Sequence, residues 1–527
     1  MSYDAIIVGG GHNGLTCGAY LSKAGKKVLV LEQKDIVGGA AVSEEFSPGF
    51  TASTYSFIMG HLHPKVISEL ELEKHGLEYI SIDSVANPTD DDCIVTTTKD
   101  PEATRKQIAR FSRKDAENYP KFFESLSSTV SLMRKLQMET PINPFDQSLS
   151  GMMKTGKFAW RYRKQEKEIN NLVSALSLSA HDYVSRWFES DIVKAKFMFW
   201  ATIGGNVGPY SPGTAFYIVS HLVGQNGMCF AKGGMGTISN AIAASGQSHG
   251  MEIRTGAAVE EILVRGGRSY GVRLASGEEI KAKLVVSNVS AKLTFGDLVK
   301  RDHLPQEFAE RIDGFRTRGM GFKLLCAVDR KPVYKGFDAE KCGIEYPGYA
   351  HIGPTPEFLE RAFDEAKFGW YSSEPFLSPS VPSYFDPTLA PDGKHIVTFQ
   401  GGVTPYELSN SDWDKEREPF VRNAMRVMDR FAPGFSDSVI DYKLYLPKDI
   451  EDDINMPGGN TQHGELSLDQ LFFNRPVPGY ADYRSPVAAL YQCGASTHPG
   501  GAVSGVNGHN AAREILKDWR QVSRNAD

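Results

Sequence analysis

The first forty residues contain a strand, a glycine-rich turn, a helix and a second strand, and this order constrains the fold more than any other feature. Residues 5–8 are a short apolar, β-branched run typical of a central parallel strand. They lead into Gly9-Gly10-Gly11-His12-Asn13-Gly14, a helix predicted over 15–24 and an apolar strand over 28–31. This β-α-β unit carries G-x-G-x-x-G and predicts a Rossmann-like nucleotide-binding fold.

The residue types of the turn suit a pyrophosphate. Gly9 permits the sharp turn out of the strand, Gly11 lets the backbone approach the phosphates, and Gly14 lets the helix pack closely on the strand. His12 and Asn13 lie in the turn just before the predicted helix, whose free N–H groups and positive dipole end favour phosphate. The turn is therefore predicted to bind a dinucleotide.

The strand that follows ends at an acid, Glu32, 18 residues after Gly14. An acid at this position accepts hydrogen bonds from a ribose diol, which favours FAD or NAD over NADP. The doublet Gly38-Gly39 comes next and is a second place where the backbone could approach a phosphate closely. The cofactor-binding candidates in this stretch are Glu32, Gln33, Lys34, Gly38, Gly39 and Ala40.

A second glycine-rich loop lies near the C-terminus. A buried strand is predicted over 490–493, the loop covers 494–508, and a helix is predicted over 509–516. An NAD site has no use for such a loop, whereas the ribityl chain and the N1/C2=O edge of a flavin need backbone N–H groups and a helix dipole. FAD is therefore the predicted cofactor, and the further candidate contacts are Gly494, Ala495, Pro499, Gly505 and Val506.

Together these segments resemble the bacterial-type phytoene desaturase family, part of the flavoprotein group that includes monoamine oxidases. The matching motifs are G-x-G-x-x-G, E-x-x-x-x-x-G-G and T-H-P-G-G-x-x-x-G, in that order. Residues 38–45, 70–77 and 466–473, followed by Arg475-Pro476, resemble the subgroup of pyridine nucleotide-disulphide oxidoreductase domain-containing proteins. The resemblance covers nearly the whole chain and implies an α/β fold with a discontinuous Rossmann-like FAD-binding domain and an α+β substrate domain.

The resemblance also implies roles for single residues. Val259 would offer its backbone to the adenine ring. Many relatives have Arg where this chain has Ala40 and Asp where it has Ala495. FAD binding should therefore depend more on backbone N–H groups than it does in those relatives.

The predicted FAD-binding domain comprises residues 1–80, 230–300 and 480–527, and the substrate domain comprises 81–229 and 301–479. Within the first part of the substrate domain, 101–229 is predicted to be helical, including packed helices over 185–190 and 194–200. Strands predicted over 251–254, 258–264, 270–274 and 279–286 form a β-meander that returns to the FAD-binding domain. No second G-x-G-x-x-G and no C-x-x-C occur, so neither an NAD(P)H domain nor disulfide-reductase chemistry is expected.

Composition bears on the partners and the location of the protein. There are 58 basic and 64 acidic residues, a net charge of −6, which argues against nucleic-acid binding. A cytoplasmic, reducing location is expected, because six cysteines are scattered and neither a signal peptide nor a long apolar run is present. Residues 151–170 are basic with interleaved aromatics, which fits either a solvated helix or peripheral contact with a membrane. The oligomeric state is left open.

The chemistry predicted from these features is hydride transfer to flavin N5. The substrate is expected to be largely apolar, with isoprenoids and carotenoids as candidates, and to be dehydrogenated (desaturated) or isomerised, with O2 or a quinone as electron acceptor. His463, Glu465 and His498 are candidates for moving a proton, and Tyr55 and His61 for facing the substrate; no metal site is expected. The alternatives are an O2-using amine or alcohol oxidase, and a non-catalytic flavoprotein with an interaction role.

Overall fold

The computed structural model describes residues 3–224 and 228–524, so positions 1–2, 225–227 and 525–527 of the predicted domains lie outside the described residues. The strands are β1 (Tyr3–Val8), β2 (Val28–Leu31), β3 (Ser43–Ser47), β4 (Phe50–Ser53), β5 (Tyr79–Ser81), β6 (Ser84–Pro88), β7 (Ile94–Thr98), β8 (Cys229–Ala231), β9 (Glu252–Arg254), β10 (Val259–Arg265), β11 (Arg268–Leu274), β12 (Glu279–Ser287), β13 (Gly321–Val328), β14 (Phe376–Ser380), β15 (His395–Gly402), β16 (Val439–Tyr445) and β17 (Leu490–Gln492).

Helices account for much of the remaining chain. They are α1 (His12–Lys23), α2 (Pro64–Glu69), α3 (Pro101–Ala109), α4 (Arg113–Gln137), α5 (Leu149–Tyr162), α6 (Glu166–Ser177), α7 (Ala180–Ser185), α8 (Asp191–Met198), α9 (Ala215–His221), α10 (Gly236–Ser248), α11 (Ala291–Leu293), α12 (Gln306–Asp313), α13 (Ala339–Cys342), α14 (Pro356–Lys367), α15 (Pro382–Phe385), α16 (Trp413–Phe431), α17 (Pro447–Ile454) and α18 (Val506–Arg524). Among the described residues, none of these helices has both the length and the apolar character needed to cross a bilayer.

A largely parallel sheet is built from both ends of the chain and from its middle. β1 lies between β2 and β12, and it is parallel to both. β9 joins β2 and β17 joins β12, again in parallel, with Val286 opposite Tyr491. Because β1 is covered on both faces, its inner residues form a continuous buried apolar run. β10, β11 and β12 form the antiparallel meander that was predicted for the last three of its four strands. The prediction that 251–254 belongs to this meander is wrong, because β9 pairs in parallel with β2 at the opposite edge of the sheet.

Three helices, α1, α10 and α18, pack together beside this sheet in one apolar cluster. α1 begins at His12, earlier than predicted, so that Gly14 lies in its first turn. α18 also begins earlier than predicted, at Val506. The packing of α18 on α1 is close: a Cβ on Gly508 would lie 2.2 Å from the Asn13 carbonyl oxygen. The first and last helices of the described chain therefore support the same site.

The second sheet is antiparallel, with the order β14-β15-β13-β16, and it packs against α16. Helices α3 to α9 form a separate apolar cluster, to which α14 contributes. The prediction of a helix over 185–190 is wrong after Ser185, where α7 ends. Buried Asp115 on α4 accepts hydrogen bonds from the amides of Glu189 (2.8 Å) and Ser190 (2.9 Å) and holds this stretch as a turn. The residue boundaries proposed for the two domains stay a prediction.

Candidate functional site

The first of two adjoining cavities lies at the carboxyl ends of β1, β2 and β12, where ligands bind in open parallel sheets. It has a volume of about 330 Å³. We call it the nucleotide cavity. The predicted cofactor residues that line it are Gly9, Gly11, His12, Asn13, Glu32, Gln33, Lys34, Gly39, Ala40, Val259 and Ala495.

Glu32 is fixed at the edge of this cavity by the backbone. Its carboxylate accepts hydrogen bonds from the amide of Gly10 (2.7 Å) and the amide of Lys34 (3.0 Å). Lys34 forms an ion pair with Asp453, and Gln33 accepts a hydrogen bond from Asn455 at 2.9 Å. The end of α17 and the residue after it therefore lie against the Glu32 end of the cavity, where a ribose would lie.

The other predicted cofactor residues shape the loops and do not line the cavity; they are Gly14, Gly38, Gly494, Pro499, Gly505 and Val506. A Cβ on Gly14 would lie 2.4 Å from the Gly9 carbonyl oxygen, and one on Gly494 would lie 2.4 Å from that of Asn288. The amide of Gly38 donates to the Gly10 carbonyl at 2.9 Å, so the two glycine segments are joined directly. The amide of Val506 is already engaged by the Ser504 hydroxyl at 3.2 Å.

The second cavity, which we call the substrate cavity, has a volume of about 160 Å³. Tyr55 and His61, the two predicted substrate residues, both line it. It shares four lining residues with the nucleotide cavity: His12, Ala40, His463 and Ala495. The two chain ends also meet here through a contact of 3.2 Å between His12 Nε2 and the Ala502 carbonyl oxygen.

His463 is the one candidate for proton transfer that lines the cavities, and it lines both of them. Its Nδ1 is buried and lacks a hydrogen-bond partner within the described residues. Burial, together with the charges on His12 and Arg475, lowers its pKa to about 3, so the imidazole is neutral at physiological pH. The ring is therefore placed to form a hydrogen bond with a bound molecule.

Glu465 and His498 line neither cavity. Glu465 forms ion pairs with Arg316 (2.9 Å) and Arg318 (2.5 Å). Burial raises the pKa of the carboxyl group, but the hydrogen bonds from the two arginines outweigh this effect and lower the pKa below its usual value. His498 Nε2 lies 3.1 Å from the Leu136 carbonyl oxygen, and burial lowers the pKa of its ring to about 4. Both side chains connect neighbouring segments, so the geometry does not favour the proton-transfer role predicted for them.

Sequence reasoning missed Lys323, a buried residue on β13 close to the substrate cavity. It lines two smaller cavities, one of which shares Tyr55 and Gln400 with the substrate cavity. Its Nζ lies 4.8 Å above the centre of the Phe57 ring and has no hydrogen-bond partner among the described residues. Burial lowers the pKa of this amine to about 7. The available signal was a lysine between Phe322 and Leu324 in an otherwise apolar strand.

Two other segments of the nucleotide cavity were missed because they contain no motif. Residues 288–298 follow β12 and contribute Asn288, Val289, Ser290, Leu293, Asp297 and Leu298. Residues 454–456 contribute a second wall. The position of Asn288 after a parallel strand was the only signal, and it became meaningful once the strand was placed beside β1.

The residues present fit a dinucleotide. The N-terminus of α1 faces the nucleotide cavity, and a Cβ on Gly11 would lie 2.8 Å from Asn288 Nδ2. Asn13, which lines the cavity, has a buried Oδ1 without a hydrogen-bond partner in the described part of the chain. Such an orphaned acceptor beside an open cavity is expected where a bound molecule completes the site.

Comparison with protein families matches residues 14–516 to the model described as flavin containing amine oxidoreductase. The chain belongs to this family. Its match over nearly the whole sequence agrees with the glycine turn and the C-terminal loop meeting at one cavity. FAD is therefore the cofactor, as predicted, and it would be held by the residues that line the nucleotide cavity.

Individual proteins are similar to this chain to different degrees. The pyridine nucleotide-disulfide oxidoreductase domain-containing protein 2 of Rattus norvegicus is 34% identical, covering 99% of this chain and 94% of the rat protein. A subunit of the limonene dehydrogenase of Castellaniella defragrans is 26% identical, covering 98% and 94%. The neurosporene-forming phytoene desaturase of Cereibacter sphaeroides is 26% identical, covering 99% and 96%. The resemblance to phytoene desaturases and to the subgroup of pyridine nucleotide-disulphide oxidoreductase domain-containing proteins is thus confirmed.

The fold is also shared with solved structures. Cyclohexylamine oxidase from Brevibacterium oxydans superposes with a TM-score of 0.59 at 17% identity, covering 99% of this chain and all of that one. This similarity confirms the predicted α/β fold of the amine oxidase type.

Proposed function

We propose that this oxidoreductase dehydrogenates or isomerises a largely apolar organic molecule, with isoprenoids as the leading class. The observation that carries the proposal is that the substrate cavity adjoins the nucleotide cavity at His12, Ala40, His463 and Ala495. Bound FAD supplies a two-electron acceptor for hydride at its N5 atom. A molecule in the substrate cavity would therefore lie next to the redox cofactor.

The walls of the substrate cavity suit an apolar molecule. Tyr55, Phe57, Trp200 and Tyr349 contribute aromatic surface, and Ile58 and Ile203 contribute aliphatic surface. Side chains of this kind exclude water and orient a substrate by contact, which hydride transfer requires more than it requires acids and bases. His463 would remain neutral there and could exchange a hydrogen bond with the substrate.

The relatives support the same class of substrate. Two of them are named for limonene and phytoene, which are isoprenoid hydrocarbons. The competing function, oxidation of an amine with O2, finds less support in the cavity. A protonated amine needs a carboxylate or a similar partner, and none of the described residues that line the substrate cavity is acidic.

The experiment is anaerobic titration of FAD-loaded protein with isoprenoid hydrocarbons, alcohols and amines, monitored by the visible absorbance of oxidised flavin. We expect isoprenoids to bleach the flavin and amines to leave it oxidised. The reduced protein is then mixed with O2 or with a short-chain quinone to identify the electron acceptor. Bleaching by amines with release of H2O2 would replace the proposal with the oxidase, and a flavin that no compound reduces would favour the non-catalytic role.

We also propose that α5 contacts an anionic membrane surface from which an apolar substrate is taken. The helix presents three stripes. One, containing Gly151 and Tyr162, packs on the protein, whereas Leu149, Met153 and Trp160 form an apolar stripe that is more than half exposed. A third, exposed stripe is basic and consists of Lys154, Lys157 and Arg161, the last of which pairs with Glu139.

The two exposed stripes lie side by side on α5, as in helices that lie in a membrane interface. Lys154 and Lys157 would meet anionic headgroups while the apolar stripe enters the acyl boundary. Phe145, four residues before α5, and Leu468 are also largely exposed apolar side chains. Phe145 contacts Phe473 with ring centres 5.9 Å apart, which connects this surface to the segment after Glu465.

A further inference from the structure

We infer that the substrate cavity recognises a hydroxyl group on an otherwise apolar substrate through His61 and His221. This inference rests on the proposed function and narrows its substrate class from largely apolar isoprenoids to those that carry a hydroxyl group. Both histidines line the substrate cavity and neither lines the nucleotide cavity. They therefore belong to the part of the cavity that is not shared with the cofactor.

His221 is held in one tautomer by its own helix. Its Nδ1 lies 2.8 Å from the Tyr217 carbonyl oxygen, one turn earlier in α9. A carbonyl oxygen only accepts hydrogen bonds, so Nδ1 must carry the proton. In the neutral ring Nε2 is then a bare acceptor, and it has no hydrogen-bond partner among the described residues. Burial lowers the pKa of the ring, which keeps it neutral.

His61 supplies the complementary group. Its ring centre lies 6.3 Å from that of His221, and neither of its nitrogens is hydrogen-bonded to a described residue. Burial and the neighbouring His221 lower its pKa to about 4, so it is also neutral and has one donor and one acceptor nitrogen. Two hydrogen bonds of about 2.9 Å that meet at one oxygen hold their two nitrogens at most about 5.8 Å apart, and ring centres 6.3 Å apart allow the facing nitrogens to lie within that limit.

A hydroxyl matches this pair better than other groups do. It donates to Nε2 of His221 and accepts from the N–H of His61, whereas a carbonyl oxygen can use only the His61 donor. A hydrocarbon would leave both polar groups unpaired in an apolar cavity. Among the described residues that line the cavity there is no Asp, Glu, Lys or Arg, so a carboxylate or an ammonium group would have no counter-ion.

Ala40 and Ala495, where many relatives have Arg and Asp, agree with this interpretation. Both alanines lie where the substrate cavity meets the nucleotide cavity. In relatives with Arg and Asp at these positions, charges would lie at that junction. Here the junction is uncharged, so the polar contacts of the substrate cavity are left to neutral side chains such as the two histidines.

The test compares three probes that share one ring skeleton: limonene, perillyl alcohol and perillaldehyde. Their affinities for FAD-loaded protein are measured by calorimetry, and flavin absorbance reports reduction in the same samples. We expect the alcohol to bind about ten-fold more tightly than limonene, with the aldehyde between them. In His221→Leu the preference should fall to about two-fold or less, with limonene binding retained, and His221→Gln should restore part of it.

His61→Leu is a second variant in case His221→Leu does not retain FAD, and His249→Leu, at an exposed histidine, is the matched control. Equal or tighter binding of limonene, failure of all three probes to bind, or a preference that survives both cavity variants would overturn the inference. If the alcohol binds and the flavin stays oxidised, the inference holds and the proposed function fails. If only limonene binds and bleaches the flavin, the proposed function holds and the inference fails.

Discussion

Lys323 is a buried amine without a counter-ion among the residues that the structure describes, and its effect on stability should depend on pH. Burial lowers its pKa in the folded protein to about 7, well below the value of about 10.4 for a lysine in water. The unfolded chain therefore binds more protons between these two values, and stability must rise with pH across that interval. We expect the free energy of unfolding of the wild type, measured relative to Lys323→Met, to increase between pH 7 and 10.

Chemical denaturation of both proteins at several pH values measures this difference. Lys335→Met is the control, because Lys335 is exposed to water in the folded protein. A difference between wild type and Lys323→Met that stays constant across the interval would mean that the Lys323 amine is not desolvated.

Arg475 is a fully buried guanidinium bonded only to carbonyl oxygens in the described part of the chain. It donates to the carbonyl of Gln462 at 2.7 Å and to that of Ala495 at 2.9 Å, with longer contacts to Gln470 and Thr497 at 3.3 Å. It thus joins the segment containing His463 to the C-terminal loop. Lysine cannot reproduce this planar fork, so Arg475→Lys should lower the free energy of unfolding by ~2–4 kcal/mol and weaken FAD retention.

Thermal unfolding with and without added FAD tests the role of Arg475, and the exposed Arg330→Lys serves as control. FAD content per protein after gel filtration gives the second readout. Unchanged FAD retention in Arg475→Lys would show that the fork stabilises the fold without supporting the cofactor site.

The exposed apolar and basic stripes of α5 lead to a prediction about the binding of this single helix to anionic vesicles. Trp160→Ser should weaken binding to anionic vesicles about ten-fold or more, since indole is among the strongest interfacial anchors. Lys157→Glu should have a comparable effect, because each basic residue near such a surface contributes ~1 kcal/mol. Sedimentation with phosphatidylserine-containing vesicles measures both variants.

Phe368→Ser provides the matched control for α5, since Phe368 is 83% exposed and lies just after α14. Binding to zwitterionic vesicles should be weak for every protein. If Phe368→Ser and Trp160→Ser bind anionic vesicles equally well, or if the wild type does not bind them, α5 is a solvated helix.

The elements that could be predicted are those whose sequence signals are local. The strands β1, β2 and β10 to β12 were expected because apolar β-branched runs are separated by glycine turns, and Glu32 because its distance from Gly14 is fixed by one β-α-β unit. The turn after α7 was not predicted, because it depends on a hydrogen bond to Asp115 from a different helix. The pairing of His61 with His221 was equally hidden, because 160 residues separate them in the chain.

At the scale of the whole molecule, one cofactor site is assembled from both ends of the described chain. FAD that binds only the folded state at about 100 times its dissociation constant should add ~2.7 kcal/mol of stability. We expect FAD to slow hydrogen exchange in residues 9–14 and 494–510 together, because α1 and α18 pack on each other. Exchange mass spectrometry of the protein with and without FAD measures this, and protection confined to one of the two segments would contradict a shared site.

The contact between α1 and α18 also has a consequence for biosynthesis. The glycine turn that faces the cofactor is synthesised some 480 residues before Ala495 and Ala502, which complete the walls of the two cavities. A nascent chain therefore carries an unfinished half-site until these residues have been made, with β12 lacking its partner β17. Flavin loading must follow the synthesis of α18, which packs on α1.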